Sequence, residues 1–337
     1  MSHMINPLAT PEQLYQRRSF GALPTELQDA IFFSTQCLTQ AAGLLLQLPQ
    51  SVTAQANVLL ARYWLVEPMM SYEFSDISAA SVYLTAKLSP YPRSPRDVAL
   101  VYNYLLSPSS TFFSPVPSEE SPPPPPSNIP SDYYLPEHLY NSFHTRLLKC
   151  EARILYSLSF DTHVSLPHPL AITYLQALDF LNTSKSTISK RTLAYLNTAL
   201  LSPQMLYLTS QPNALAVAAI YNAAKDVGAK MPECEWWEVF DVDREELGFL
   251  VVGMRSVEGW GRKMREDVER MRAETDRDKR GGMITRRDVE GELRRRGLSV
   301  GNGGHTGERS SEEEPVDMEA EMARRMDEKM AEIEGSA

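Results

Sequence analysis

From Glu26 to Leu48 apolar side chains return every three or four residues, at Ile31, Leu38, Ala42, Leu45 and Leu46. That spacing predicts a long, mostly buried helix. Pro49 stops it, and Ser51 is placed to cap a second helix through Val58, Leu59, Tyr63 and Leu65. A third helix is expected from about Ser75 to Leu88. Its Ala79-Ala80-Ser81 cluster is small enough for other helices to approach closely, while Ile77, Val82 and Leu84 fill the space around it. Pro90, Pro92 and Pro95 interrupt the chain, and Ser94 before Pro95, Arg96 and Asp97 reads as a cap with proline at the first helical position. This opens a fourth helix, to about Leu106. Helical pattern resumes near Leu135 and runs through Leu147, Leu148, Ile154, Leu155 and Leu158, giving a fifth.

A second block begins at Pro167, with helices expected near 170–180, 192–201, 213–227 and 244–260. Its LAVAAIYNAAKDV has the alanine-rich texture of ISAASVYLTAKL, and both place a tyrosine before a short apolar stretch and a lysine. Duplicate all-α units, each burying its small-residue helix, are the economical explanation. The expected organisation is a leading segment 1–22, a first unit 23–164, a second 165–260 and a charged extension 261–337 that is partly disordered. The opening Met1-Ser2-His3-Met4 reads as an expression scar, so His3 carries no functional weight.

Between the fourth and fifth helices, about 107–131, Ser-Pro repeats and the run Pro122 to Pro126 favour an extended, exposed insertion over packed structure. After Trp260 the charge becomes dense and mixed, a pattern that extends a helix into solvent through ion pairs four residues apart. GNGGHTG at 301–307 lacks the spacing of a nucleotide loop and follows no strand. Met318, Met322, Met326, Met330 and Ile333 form a stripe at helical spacing; a solvated helix or disordered tail is favoured there over a partner-binding helix.

Composition narrows the function classes. With 337 residues and 43% hydrophobic content the chain can bury a substantial core. No apolar run reaches the roughly 20 residues that span a bilayer, and no signal-peptide pattern is present, so the expected setting is intracellular. A net charge of −10 argues against general binding to a phosphate backbone. Cys37, Cys150 and Cys234 are far apart without ligand-spaced histidines, so neither a metal nor another cofactor is expected. No nucleophile elbow, Walker loop, His-Glu-x-x-His or kinase signature occurs. His163 and His168 flank the junction of the blocks, where they read as packing residues rather than bases.

The segments QAAGLLLQLPQ, YLTAKL, PRSPRDV, CEARILYSLSFDTHVSLPHP and QPNALAVAAIYNAAKDV, in that order, resemble the L-type cyclins over about 23–260. The resemblance implies an all-α fold of tandem five-helix cyclin boxes with a charged C-terminal helical or disordered extension. It implies a non-enzymatic regulatory subunit that activates a nuclear cyclin-dependent serine/threonine kinase in transcription and pre-mRNA splicing. Splicing or transcription factors are further partners; neither a membrane nor direct nucleic-acid binding is expected. An alternative is a cyclin-fold scaffold that activates no kinase. In the family, the lysine ending the third helix of the box and a glutamate late in the fifth grip backbone around the kinase's regulatory helix, and by motif match these are Lys87 and Glu151. Arg62, in LLARYW, matches the arginine kept in the second helix, with a structural or an interface role. A charge near the end of an apolar helix can also hydrogen-bond a partner's exposed backbone groups.

Four departures stand out, the first being the long Pro-rich insertion between the fourth and fifth helices. The family commonly continues its lysine with an apolar residue and two glutamates, whereas here Leu88, Ser89 and Pro90 follow. Where cell-cycle cyclins carry a Met-Arg-x-x-Leu docking patch, this chain reads Leu27-Gln28-Asp29-Ala30-Ile31. The Arg-Ser-rich tail usual in L-type cyclins is not found.

Overall fold

The computed structural model describes residues 5–19, 23–107, 110, 135–181, 186–275 and 283–298. His3, the polyproline run, the glycine-rich patch and the methionine stripe lie outside them.

Among the described residues every regular element is helical. A short α1 (Pro11–Ser19) precedes the first five-helix unit: α2 (Thr25–Leu45), α3 (Gln50–Val66), α4 (Phe74–Leu88), α5 (Pro95–Leu106) and α6 (Glu137–Ser157). The second unit holds α7 (Pro167–Ala177), α8 (Ser186–Ala199), a single turn α9 (Leu206–Thr209), α10 (Pro212–Val227) and α11 (Arg244–Thr275), after which comes α12 (Arg286–Arg295).

α4 is the axis of the first unit. It touches α2, α3, α5 and α6, and Ser78, Ala79, Ala80 and Ser81 are all buried on it. Small side chains let four neighbours come close, but two of them are serines whose hydroxyls need partners in a dry core. Ser78 Oγ lies 2.7 Å from both Thr39 Oγ1 and Tyr102 Oη, and Ser81 Oγ donates to the Ala56 carbonyl at 2.7 Å. Each bond joins α4 to a different helix, so the buried polar groups also fix helix register. α10 plays the same part in the second unit, touching α7, α8, α9 and α11 through a buried alanine-rich face. It ends on Gly228 in the left-handed conformation, φ 68°.

Local signals explain most boundaries. Ser94 caps α5 in a reciprocal capping box with Asp97, with Pro95 in the first turn. α2 stops at Leu45, three residues before the expected Leu48, because Gln47 takes a positive φ of 53°. Arg93 then donates to the freed carbonyls, Nε to Leu46 O at 2.8 Å and Nη2 to Gln47 O at 3.2 Å.

Two expectations are corrected. Ser51 does not cap α3: Pro49 occupies the cap position, its carbonyl accepting from Val52 N and Thr53 N, and Ser51 is an exposed first-turn residue. A proline fixed near φ −57° already starts the helix, leaving no place for a side-chain cap. The charged segment after Trp260 does not run into solvent. α11 continues to Thr275, Met264, Val268 and Met271 are buried along it, and α12 packs against it with Met283, Ile284, Val289 and Leu293 buried. Trp260 itself meets Phe33 of α2 edge to face at 5.5 Å, joining the second unit to the first.

Candidate functional site

Lys87 is the next-to-last residue of α4, where dipole and open carbonyls favour a cation. Its Nζ lies 3.0 Å from Glu151 Oε1 on α6, and the side chains are 55% and 8% exposed respectively. The ammonium also stands 5.6 Å from the Tyr83 ring centroid, one turn back on α4. The hydrogen bond to Glu151 pushes the Lys87 pKa upward against a smaller opposing effect of burial. A buried carboxylate thus aims an exposed cation at the protein rim.

Glu151 is more deeply set than its place near a helix end implies. It is buried beside Cys150 and Ile154, so it belongs to the α4–α6 interface as much as to the surface. Two further ion pairs fasten α6: Arg146 Nε to Asp76 Oδ2 at 2.9 Å and Arg153 Nη2 to Glu67 Oε1 at 2.8 Å. Ser157 Oγ also donates to Glu67 Oε1 at 2.8 Å. α6 is therefore pinned along its length, and the Lys87 rim is held by contacts within the chain.

Around that rim the chain exposes apolar side chains. Leu88 is 56% exposed, Tyr91 follows it, and exposed Leu148 sits three residues before Glu151 on the same face of α6. Of the altered residues after Lys87, Pro90 is exposed and Ser89 is half-buried and hydrogen-bonded locally. Ser89 Oγ donates to the Ala86 carbonyl at 2.8 Å and accepts Tyr91 N at 3.0 Å, so it closes α4 where the family commonly places a charge.

Arg62 lies on a different part of the molecule. It is only 9% exposed, and Nη1 donates to the His163 carbonyl at 2.8 Å, tying α3 to the segment between the units. Burial lowers its pKa, an effect that the charge of Asp161 opposes. Among the described residues Nε and Nη2 have no hydrogen-bond partner. His168, on α7, points its Nε2 at Asn197 Oδ1, 3.0 Å away, and burial lowers its pKa. His163 Nε2 lies 3.3 Å from Ser165 Oγ, an exposed contact two residues along the chain.

Sequence reasoning missed the N-terminal arm. Asn6 is buried and exchanges hydrogen bonds with the backbone of Ser165, 2.8 Å each way, and with the amide of Gln211, 3.1 Å each way. It thereby joins the inter-unit segment to the start of α10. No periodicity could reveal this, because the contacts span 159 and 205 residues.

No family model matches the chain. Over 211 residues it is 33% identical to an uncharacterized cyclin-L1-like protein of Schizosaccharomyces pombe, covering 63% of this chain and 76% of that one. It is 28% identical to human cyclin-L1 over 211 residues, 62% of this chain, and spans 36% of that longer protein. Human cyclin-L2 matches at 29% over the same length. Among solved structures, a chain of the yeast RNA Pol II CTD kinase complex superposes with TM-score 0.59 at 12% identity, covering 87% of this chain and 84% of that one. A chain of the CAK complex from Chaetomium thermophilum gives 0.54 at 14% identity, covering 90% and 94%. At such identities these two establish a shared fold.

Proposed function

This chain belongs to the L-type cyclin family, and from that premise we propose that it binds and allosterically activates a nuclear cyclin-dependent serine/threonine kinase acting in transcription and pre-mRNA splicing. A cyclin is a regulatory subunit, not itself an enzyme. Its effect is a population shift: it binds the active arrangement of the kinase more tightly, holding the regulatory helix inward so that its glutamate can pair with the ATP-positioning lysine.

The observation that carries this reading is the Lys87–Glu151 pair, a cation held 3.0 Å from a buried carboxylate on a rim of exposed Leu88, Tyr91 and Leu148. Apolar side chains around a pre-oriented charge suit a helix of a partner: the leucines cover its apolar face while the charged pair hydrogen-bonds open backbone groups at its end. The yeast neighbour belongs to an RNA polymerase II CTD kinase complex, which supports a transcription role and hence a nuclear setting.

Ser89, its hydroxyl spent on the Ala86 carbonyl where the family commonly places a glutamate, favours a second reading, a cyclin-fold scaffold that gathers transcription or splicing proteins without stimulating a kinase. Capture from nuclear extract on the purified chain, with the bound proteins identified by mass spectrometry, separates the cases from non-binding. The cyclin reading expects a cyclin-dependent kinase on the wild-type bait and much less of it on Lys87→Met. A bait that captures no such kinase, or as much with Lys87→Met, contradicts the proposed interface.

A further inference from the structure

α11 buries one side along its length, where Leu250, Met254, Val257, Met264 and Val268 are all out of water. The opposite side is open, yet it is not uniformly polar. Phe249 and Val252 are 54% and 68% exposed there, one turn apart, and exposed Ser256 and Gly259 continue the same face. Arg255 is drawn off this face toward α10, where its Nε donates to Asn222 Oδ1 at 2.7 Å.

The glycines of this helix divide into two kinds. Gly253 and Gly261 are accounted for by the chain itself: a Cβ would lie 2.9 Å from Gln204 Oε1 at the first and 3.4 Å from Phe33 Cε2 at the second. Gly248 and Gly259 are exposed, and a Cβ at either would meet nothing within 4 Å. Glycine is the least favourable helix residue after proline, so two of them on an open face beside exposed apolar side chains lack an intramolecular reason. Close approach of a helix from outside the chain supplies one.

Charge selects what approaches. Glu245 and Lys263 are exposed, and neither takes an ion partner among the described residues. They stand five turns apart, hence on one line of the helix and about 27 Å from each other. Position 254 is midway between them, and about it the face is antisymmetric: acid against base at 245 and 263, bulk against hollow at 249 and 259, and Val252 against Ser256. A surface with this pattern complements itself when turned end for end.

We propose that this face of α11 is a dimerisation surface whose partner is a second copy of the chain, its own α11 running antiparallel about a two-fold axis at position 254. Glu245 of each copy then pairs with the partner's Lys263, Phe249 settles over the partner's Gly259, and Val252 packs beside the partner's Ser256. The apolar contacts are central and the ion pairs lie at the rim, the layout that association surfaces favour. One helix pair is a small interface, so the dimer is weak and forms at high concentration. None of these residues belongs to the Lys87 rim, so the full chain alone, without a kinase, serves for the test.

Sedimentation equilibrium of the full chain from about 1 to about 300 µM should show a reversible monomer–dimer exchange. Val252→Glu sets two like charges beside the axis and should weaken association at least tenfold. Glu245→Lys and Lys263→Glu should each weaken it several-fold, and the double variant, which restores both pairs with the signs exchanged, should return toward wild type. Gly259→Leu separates association from folding: the site is open within the chain, so thermal unfolding should occur no lower than in wild type, while filling the hollow under Phe249 should weaken the dimer at least tenfold. A chain that stays monomeric over the whole range, a dimer that Val252→Glu and Gly259→Leu leave intact, or a double charge variant no better than the single ones would overturn the proposal.

Discussion

The Lys87 ammonium and the Glu151 carboxylate join α4 to α6 at 3.0 Å, one side chain mostly in water and the other mostly out of it. That asymmetry divides their roles, because the exposed cation can reach a partner while the buried carboxylate belongs to the α4–α6 contact.

Lys87→Met should reduce kinase affinity about tenfold, the loss of one charge-assisted hydrogen bond. The variant also leaves the buried Glu151 carboxylate without its cation, so a loss of stability of about 1–3 kcal/mol should accompany it. Calorimetric binding to the captured kinase and urea unfolding measure the two quantities on one sample.

Glu151→Lys should damage the fold more severely. It sets a second cation against Lys87 in a site where the carboxylate is buried, and a cost of about 3 kcal/mol or more is expected. A double charge reversal is therefore a poor test of the interface, since reduced binding would report a damaged α4–α6 contact. Glu151→Gln keeps an acceptor for Lys87 and should unfold near the wild-type denaturant midpoint, whereas Glu151→Lys should not.

Much of this fold was legible along the chain, for reasons that differ between elements. Ser94, Pro95 and Asp97 announce α5 because a capping box is local chemistry. The alanine and serine run of α4 announces burial because only a helix crowded by neighbours needs small side chains. α12 escaped because RRDVEGELRR reads as a solvated charged face, yet its Thr285 and Asp288 form the same capping box and were the available signal. α9 offers no signal: it is one turn, entered through Met205 in the left-handed conformation. Lys87 and Glu151 were individually readable, but the burial of Glu151 depends on a contact 64 residues away. The burial of Arg62 likewise emerges only when α3 meets the segment 101 residues on that holds His163.

Gly43 tests how closely α2 and α3 cross. A Cβ there would lie 2.3 Å from Thr53 Oγ1, so Gly43→Ala should destabilise the chain by about 1–3 kcal/mol despite alanine's better helix propensity. Thr53→Ala removes the clashing atoms, and the double variant should recover most of the loss. Thermal unfolding of the two single variants and the double one forms the cycle. An additive double variant would contradict the close crossing.

His168 should give the chain part of its pH dependence. Burial lowers its pKa below the usual 6.5, and the hydrogen bond with Asn197 only partly offsets this. The folded chain then binds fewer protons than the unfolded one just below pH 6.5, so this contribution is fully present above that value and is lost as pH falls toward the lowered pKa. His168→Gln should flatten that part of the stability curve. Urea midpoints of both proteins across the range from about pH 7.5 downward provide the measurement.

The most direct test of the central claim is the rate of phosphate transfer by the captured cyclin-dependent kinase, purified free of cyclin and assayed with and without this chain. The account predicts that activity rises with added wild-type chain to a plateau, and that Lys87→Met reaches the same plateau only at about tenfold higher concentration. A kinase that binds the chain yet works at an unchanged rate would contradict activation and leave the chain a scaffold.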